Sequence, residues 1–304
     1  MNKLIPILIV SIFLGCSTPK SAETRNDDSF SFIFLTDIHY QLERGAAQAF
    51  EIAVDTANKL DADFVLTGGD LVFDVLRGNF DRSDSLFSMY KKASERFNMP
   101  VYHCIGNHEL FGIYEESPED STHPDYKYGM FERYFGDTYY SFDHKGWHFM
   151  VLNSIDERNQ RYVGIMNEEE MEWIKEDLSK VDKETPIAIA MHIPLISSYR
   201  QIYPLEDQGE SKWIENRDEV LELFKPYNLK LALQGHLHYL EDINVQDKTR
   251  FITGSALAGR PSWRRKDDRG DGKYYNEEGF LYINIDGEEI DWEFIDIGWK
   301  SVEE

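Results

Sequence analysis

Five short polar motifs stand where apolar runs stop, and together they hold carboxylates, imidazoles and one amide in an order that suits metal chemistry. Asp37-Ile38-His39 follows the apolar run 30–35, Gly68-Gly69-Asp70 follows 64–67, and Gly106-Asn107-His108-Glu109 follows 101–105. His192 follows 187–191, and Gly235-His236-Leu237-His238 follows 229–233. A two-residue spacing at a strand end aims both side chains to one side, so Asp37 with His39, and His236 with His238, can face one ion or two adjacent ions. Carboxylate and imidazole donors without thiolate suit borderline metals such as Mn, Fe or Zn and disfavour soft-metal sites. The motifs differ in weight. Asp-x-His turns up by chance about once at this composition, Gly-Gly-Asp alone reads as a turn, and a lone strand-end histidine reads as structural. Gly-Asn-His-Glu is expected on the order of 0.005 times, so chance is a poor account of it.

Short buried strands must deliver these motifs, and the apolar runs supply five of them. Between the strands, residues 46–60, 83–97, 167–181 and 214–224 carry helical periodicity, with Asn167 before three glutamates as a helix start. The alternation is βαβ. Hairpin-like pairs at 139–142 with 147–153, and at 279–285 with 290–297, add antiparallel strands, which gives an α/β fold of two mixed sheets covered by helices. Residues 111–129 and 257–279 form loops long enough to cover a pocket. The second holds Arg260, Trp263, Arg264, Arg265 and Arg269, a cluster that can recruit phosphate or be neutralised by Asp267, Asp268 and Asp271 as a solvated face. His103, His123, His144 and His148 lack ligand spacing and read as structural, as does Cys104 in its apolar run.

The ordered set Asp37-x-His39, Gly69-Asp70, Gly106-Asn107-His108-Glu109, His192 and Gly235-His236-x-His238 resembles the motifs of calcineurin-like metallophosphoesterases. The resemblance implies a four-layer α/β/β/α sandwich of two mixed sheets with a binuclear metal site at the strand ends. It further implies Asp37, His39 and His238 as ligands of one ion, Asn107, His192 and His236 as ligands of the other, and Asp70 as the bridge. Two divalent or trivalent ions, Mn, Fe or Zn, would then activate water for hydrolysis of a phosphoester. His108 would stabilise the transition state or protonate the leaving oxygen, with Glu109 either holding its second ring nitrogen or acting as a structural brace. After Asp70 the chain reads Leu71-Val72-Phe73, without the Asp of eukaryotic-type Ser/Thr phosphatases or the iron-ligating Tyr of purple acid phosphatases. The pattern is more similar to the bacterial phosphatase and phosphodiesterase branch that includes class III cyclic-nucleotide phosphodiesterases. The contrasting reading is a non-catalytic surface lipoprotein that uses the sandwich to bind a partner. Loss of a ligand position would favour it, and every position is filled.

The chain has 304 residues with 19 Phe, 17 Tyr and 6 Trp, enough for one large core, which excludes wholesale disorder and a disulfide-stapled miniprotein. A net charge of −24 opposes binding to nucleic-acid polymers, so the partners expected are a phosphoester substrate and a membrane. The membrane expectation comes from residues 1–15, where Lys3 precedes an apolar stretch too short to span a bilayer. Its end, Phe13-Leu14-Gly15-Cys16, resembles the lipobox of bacterial lipoproteins, with Cys16 the lipidated residue. Residues 16–29 read as a flexible tether and 30–304 as the catalytic domain. The expected location is the bacterial cell envelope, with the protein anchored by its lipid and facing the periplasm or exterior.

Overall fold

The computed structural model describes residues 28–198, 213–258 and 278–299. Strand β1 (Ser29–Leu35) sets the layering by alternation. Phe30, Phe32 and Phe34 point to one face, while Ile33 and Leu35 belong to the cluster on the other. It pairs in parallel with β2 (Phe64–Thr67), which pairs in parallel with β3 (Val101–Tyr102). On its other side lies antiparallel β12 (Gly279–Asp286), followed by β13 (Glu289–Asp296).

The second sheet is also mixed. Its order is β10 (Glu241–Val245), β11 (Thr249–Thr253), β9 (Asn228–Gln234), β8 (Pro186–Ala190), β5 (Trp147–Val151) and β4 (Tyr140–His144). The two sheets enclose a core in which Phe32 stacks on Phe64 at 4.9 Å, and Phe149 meets Phe64 edge-on at 5.3 Å. Outside them, α1 (Ala46–Ala57) and α2 (Phe80–Ser94) accompany the first sheet. The second is accompanied by α4 (Glu168–Leu178) and α5 (Arg217–Phe224), which completes the expected α/β/β/α layers. Helix α3 (Gly129–Phe135) and a small hairpin of β6 (Ile155–Glu157) and β7 (Tyr162–Gly164) fill the connections. Among the described residues no helix is long and apolar enough to cross a membrane.

Differences from the expected elements have local causes. The third strand leaves the ladder after Tyr102 because Cys104 N–H bonds the Thr67 hydroxyl (2.9 Å) in place of a strand carbonyl. Helix α2 starts three residues early because the Asn79 side chain caps it, accepting from Arg82 N–H. Asn167 caps α4 as its sequence foretells. The segment 111–129 begins in the core, where Phe111, Ile113 and Tyr114 are buried, and runs mostly exposed or half-buried from 115 to 124 before α3 begins.

Glu170, in the first turn of α4, is fully buried. Its Oε1 accepts from Asn153 N–H (2.7 Å), and its Oε2 has no hydrogen-bond partner among the described residues. Burial holds this carboxyl well above its ordinary value of 4.5, so the folded chain retains a proton that the unfolded chain releases. A raised folded pKa gives stability that is full below the unfolded value and lost as pH rises toward the folded one. Wild-type stability in urea, measured relative to Glu170→Gln, is therefore expected to decline from pH 4.5 toward neutrality. A pH-independent difference would mean that Glu170 is ionised in the native state.

Candidate metal centre

The parallel strands β1, β2, β8 and β9 all end at one rim of the sandwich, and each hands its chain directly to a polar motif. The turn geometry there is unusual for residues with a Cβ. Asp37 (φ 52°), His39 (47°), Asp70 (52°), His236 (70°) and His238 (59°) all lie in the left-handed region. Such conformations cost about 1–3 kcal/mol each and persist only where surrounding structure fixes them. Main-chain bonds do so here: Asp37 N–H donates to Gly69 O (3.0 Å), His39 N–H to Asp70 O (2.8 Å) and Gly235 N–H to His192 O (2.9 Å). Gly106 is required by close approach, since a Cβ there would collide with the backbone nitrogen and Oδ1 of Asp70.

Two groups of buried donors result, and they share one residue. Asp37, His39, Asp70 and His238 form the first, and Asp70, His192 and His236 the second, with donor atoms in each group within 4.8 Å of one another. In the first, His238 Nε2 is 3.0 Å from Asp37 Oδ1 and 3.1 Å from His39 Nε2. In the second, His192 Nε2 is 3.2 Å from Asp70 Oδ1 and 3.1 Å from Asn107 Oδ1, so the amide joins the set. The other Asp70 oxygen, Oδ2, faces His39 Nε2 at 3.7 Å. The carboxylate thus presents one oxygen to each group.

Orientation and charge both fit cations. His192 Nδ1–H donates to Gly68 O (2.7 Å), which leaves the Nε2 lone pair aimed at two acceptor oxygens. Such convergence of electron pairs is stable only around a proton or a metal ion. Burial raises the Asp37 carboxyl, but His238 and His192 together overcome it and hold the group below the usual carboxylate range. Asp70 is held well below that range in the same way, burial being overcome by His192 and His108. For His192, burial opposes the imidazolium, yet Asp70 and Asp37 draw it up to about 9. Burial, reinforced by His108, pushes His39 well down, so its ring stays neutral. Two anionic carboxylates among imidazole nitrogens are a donor set for borderline cations.

His108 stands beside both groups, its Nε2 3.9 Å from Asp70 Oδ2. Its other nitrogen is held by Asp74 and not by Glu109. Nδ1 accepts from the Asp74 backbone N–H (2.8 Å), so the ring hydrogen sits on Nε2, toward the site. Glu109 is instead the brace: its Oε1 accepts from Val72 N–H (2.9 Å) and its Oε2 from Gly106 N–H (2.7 Å), tying two motif loops together. Burial, with Asp70 nearby, pushes its carboxyl up to about 8. Phe73 stacks on His108 at 5.4 Å and lies edge-on to His39 at 6.0 Å. Sequence reading noted Phe73 only as a missing ligand and gave Asp74 no role, because a backbone N–H leaves no signature. Of the remaining histidines, His148 links Asp143 (2.7 Å) to Asp177 (2.9 Å), a structural position.

Cys16 and the cluster Arg260, Trp263, Arg264 and Arg265 lie outside the described residues. The chain leads toward that cluster from beside the site, since Leu257 N–H donates to Thr36 O (3.0 Å) and Ala258 N–H to Asp37 O (3.4 Å).

Comparison with known proteins places this geometry in context. The "Probable cyclic nucleotide phosphodiesterase" of Moraxella catarrhalis is 25% identical over 226 residues, covering 72% of this chain and 75% of that protein. "Purple acid phosphatase 23" of Arabidopsis thaliana is 36% identical over 108 residues, but these are 35% of this chain and only 21% of that relative. A dimetal phosphatase from Danio rerio shares the fold, with a TM-score of 0.60 at 15% identity over 88% of this chain and 96% of that one. The model of the family described as calcineurin-like phosphoesterase matches residues 30–240, which contain all seven expected metal-site residues. The chain belongs to the calcineurin-like phosphoesterase family, the metal-dependent phosphoester hydrolases.

Proposed function

We propose that this protein hydrolyses phosphoesters at a site holding two metal ions, and that it does so anchored in a bacterial cell envelope through lipidated Cys16. The observation that carries the catalytic reading is Asp70, which presents one oxygen to each of two buried donor groups. Asp37, His39 and His238 would complete one ion's ligands, and Asn107, His192 and His236 the other's, with Mn, Fe or Zn best matched to the donors. Bound there, such ions supply acidity to water and neutralise phosphoryl charge. The protein's own groups orient the reaction. Thr36 Oγ1 donates to Asp37 Oδ2 (2.8 Å) and His236 N–H to the same carboxylate (3.1 Å), which fixes the plane of Asp37. His192 is fixed by Gly68 O, and His108 directs Nε2–H at the space beside Asp70. Of the two roles open to His108, this tautomer favours hydrogen-bond donation to a phosphoryl or leaving oxygen. An imidazolium would set a second N–H against that of Asp74.

Elemental analysis of the purified protein, followed by a panel of phosphomonoesters, phosphodiesters and cyclic nucleotides, tests the reading. Metal bound at two per chain with hydrolysis of at least one class is expected. A metal-free, inactive protein that binds a macromolecular partner would instead support a non-catalytic lipoprotein. The envelope reading has its own test, resting on the lipobox-like Phe13-Leu14-Gly15-Cys16. Multiple acyl chains make membrane dissociation negligible, whereas a domain in a chain of charge −24 has little affinity for an anionic bilayer. Cys16→Ala is expected to leave the detergent phase, and unchanged partitioning would refute lipidation.

A further inference from the structure

We propose that Gln234 is a positioning residue for the second donor group: it straps the loop that begins at His192 to the strand that leads into His236, and so sets the affinity for a cation between those imidazoles. The proposal rests on the metal-centre reading and adds a residue outside both donor groups. Gln234 closes β9 and directly precedes Gly235-His236. Its side chain is fully buried, and all four of its hydrogen-bonding positions are used. Oε1 accepts from Leu195 N–H (2.8 Å) and Ile196 N–H (3.2 Å). Nε2 donates to Ile196 O (3.0 Å) and to Thr253 Oγ1 (3.1 Å), at the end of β11. One amide thus joins the loop after β8 to the ends of β9 and β11.

Strand alternation offers this position to an apolar side chain. Leu231 and Leu233 point into the core between the sheets, whereas Ala232 belongs to the apolar cluster on the other face, which Gln234 shares. An amide buried there costs free energy unless its bonds are made, and three of the four go to main-chain groups of one loop. That loop begins at His192. The His192 ring is oriented by its Nδ1–H bond to Gly68 O (2.7 Å), and it packs so closely on Gly69 that a Cβ there would lie 2.7 Å from Nδ1. A ring with so little room cannot compensate for a shift of its own backbone, so the loop decides where Nε2 stands. Main-chain bonds tie the same segments, Gly235 N–H to His192 O (2.9 Å) and Ile193 N–H to Ser154 Oγ (2.8 Å). The first donor group is anchored elsewhere. His238 Nε2 meets Asp37 and His39 from the turn after β1, which is held by Thr36 Oγ1 and by Gly69 O.

The test titrates the full-length, metal-stripped protein with Mn²⁺ and, separately, Zn²⁺ in two backgrounds that each keep one donor group. Gln234→Met removes the four hydrogen bonds while an unbranched apolar side chain fills the space. In His238→Ala, where the group of Asp70, Asn107, His192 and His236 remains, adding Gln234→Met is expected to weaken metal binding by about ten- to a hundredfold, the usual effect of losing a residue that orients ligands. In His192→Ala the other group remains, and the same substitution should change affinity by no more than about twofold. A background that binds no metal is replaced by wild type, in which one of the two dissociation constants is expected to shift and the other to stay. Equal weakening at both sites assigns Gln234 to packing alone, and no weakening at either shows that the loop needs no strap. Each of those results overturns the proposal and leaves the metal-centre reading intact. A wild-type protein that binds neither metal overturns that reading, and this proposal with it. Should Gln234→Met fail to fold, Thr253→Val takes its place, since it removes the acceptor of one Nε2 bond. A loss of a few-fold confined to the His192 group is then expected, and an equal or absent loss overturns the proposal.

Discussion

The Asp70→Asn protein is expected to bind fewer than two metal ions per chain and to lose phosphoester hydrolysis by more than about 10³-fold. The substitution preserves volume and leaves one oxygen to accept the His108 backbone N–H, now bonded to Oδ1 at 2.9 Å. What it removes is the second oxygen. An amide nitrogen is a donor and does not ligate a cation, so it cannot serve both the His192 side (3.2 Å) and the His39 side (3.7 Å). Replacing His238 should have a narrower effect, because its Nε2 meets Asp37 and His39 and the residue belongs to the first donor group. Elemental analysis beside turnover separates the two cases. An Asp70→Asn protein that keeps two ions and normal turnover would refute the bridging role.

The residues of the two donor groups were legible in the sequence because each sits at the end of an apolar run and the ordered set resembles a known family's motifs. The same local logic gave the strands, since Phe30, Phe32 and Phe34 alternate with Ile33 and Leu35 as a two-faced strand must. What stayed hidden depends on partners distant in sequence or on main-chain atoms. The early end of β3 is set by the Thr67 hydroxyl, 37 residues away from Cys104. Strand β10, with Glu241, Asp242 and Asn244 in five residues, has little apolar pattern and exists because β11 pairs with it. Arg44 looks like a surface arginine at a helix start until its left-handed turn carries it over Phe73. The tautomer of His108 is the sharpest case, because Asp74 acts through an N–H that almost any residue would supply. The absence of an Asp at position 73 was visible, but the main-chain contact of Asp74 to His108 Nδ1 was not.

The Asp74 contact decides what removing His108 should do. His108→Ala is expected to keep its metal, since the ring is beside the donor groups and not within them, and to lose about 10²–10³-fold in kcat, the usual scale for one preorganised hydrogen-bond donor. A proton donor and a hydrogen-bond donor differ in how this loss depends on the leaving group. Protonation matters most for a poor leaving group, so loss of an acid is felt strongly with phenyl phosphate and weakly with nitrophenyl phosphate. A donor that stabilises phosphoryl charge is felt nearly equally with both. With Nδ1 occupied by the Asp74 N–H, the ring presents Nε2–H to the site and gives it as a hydrogen bond. The expected defect is therefore the same factor on both esters, and His108→Gln, whose amide can place an N–H near the same point, should recover part of it. A defect that shrinks markedly for nitrophenyl phosphate would show that His108 delivers a proton, and that the Asp74 contact opens during turnover.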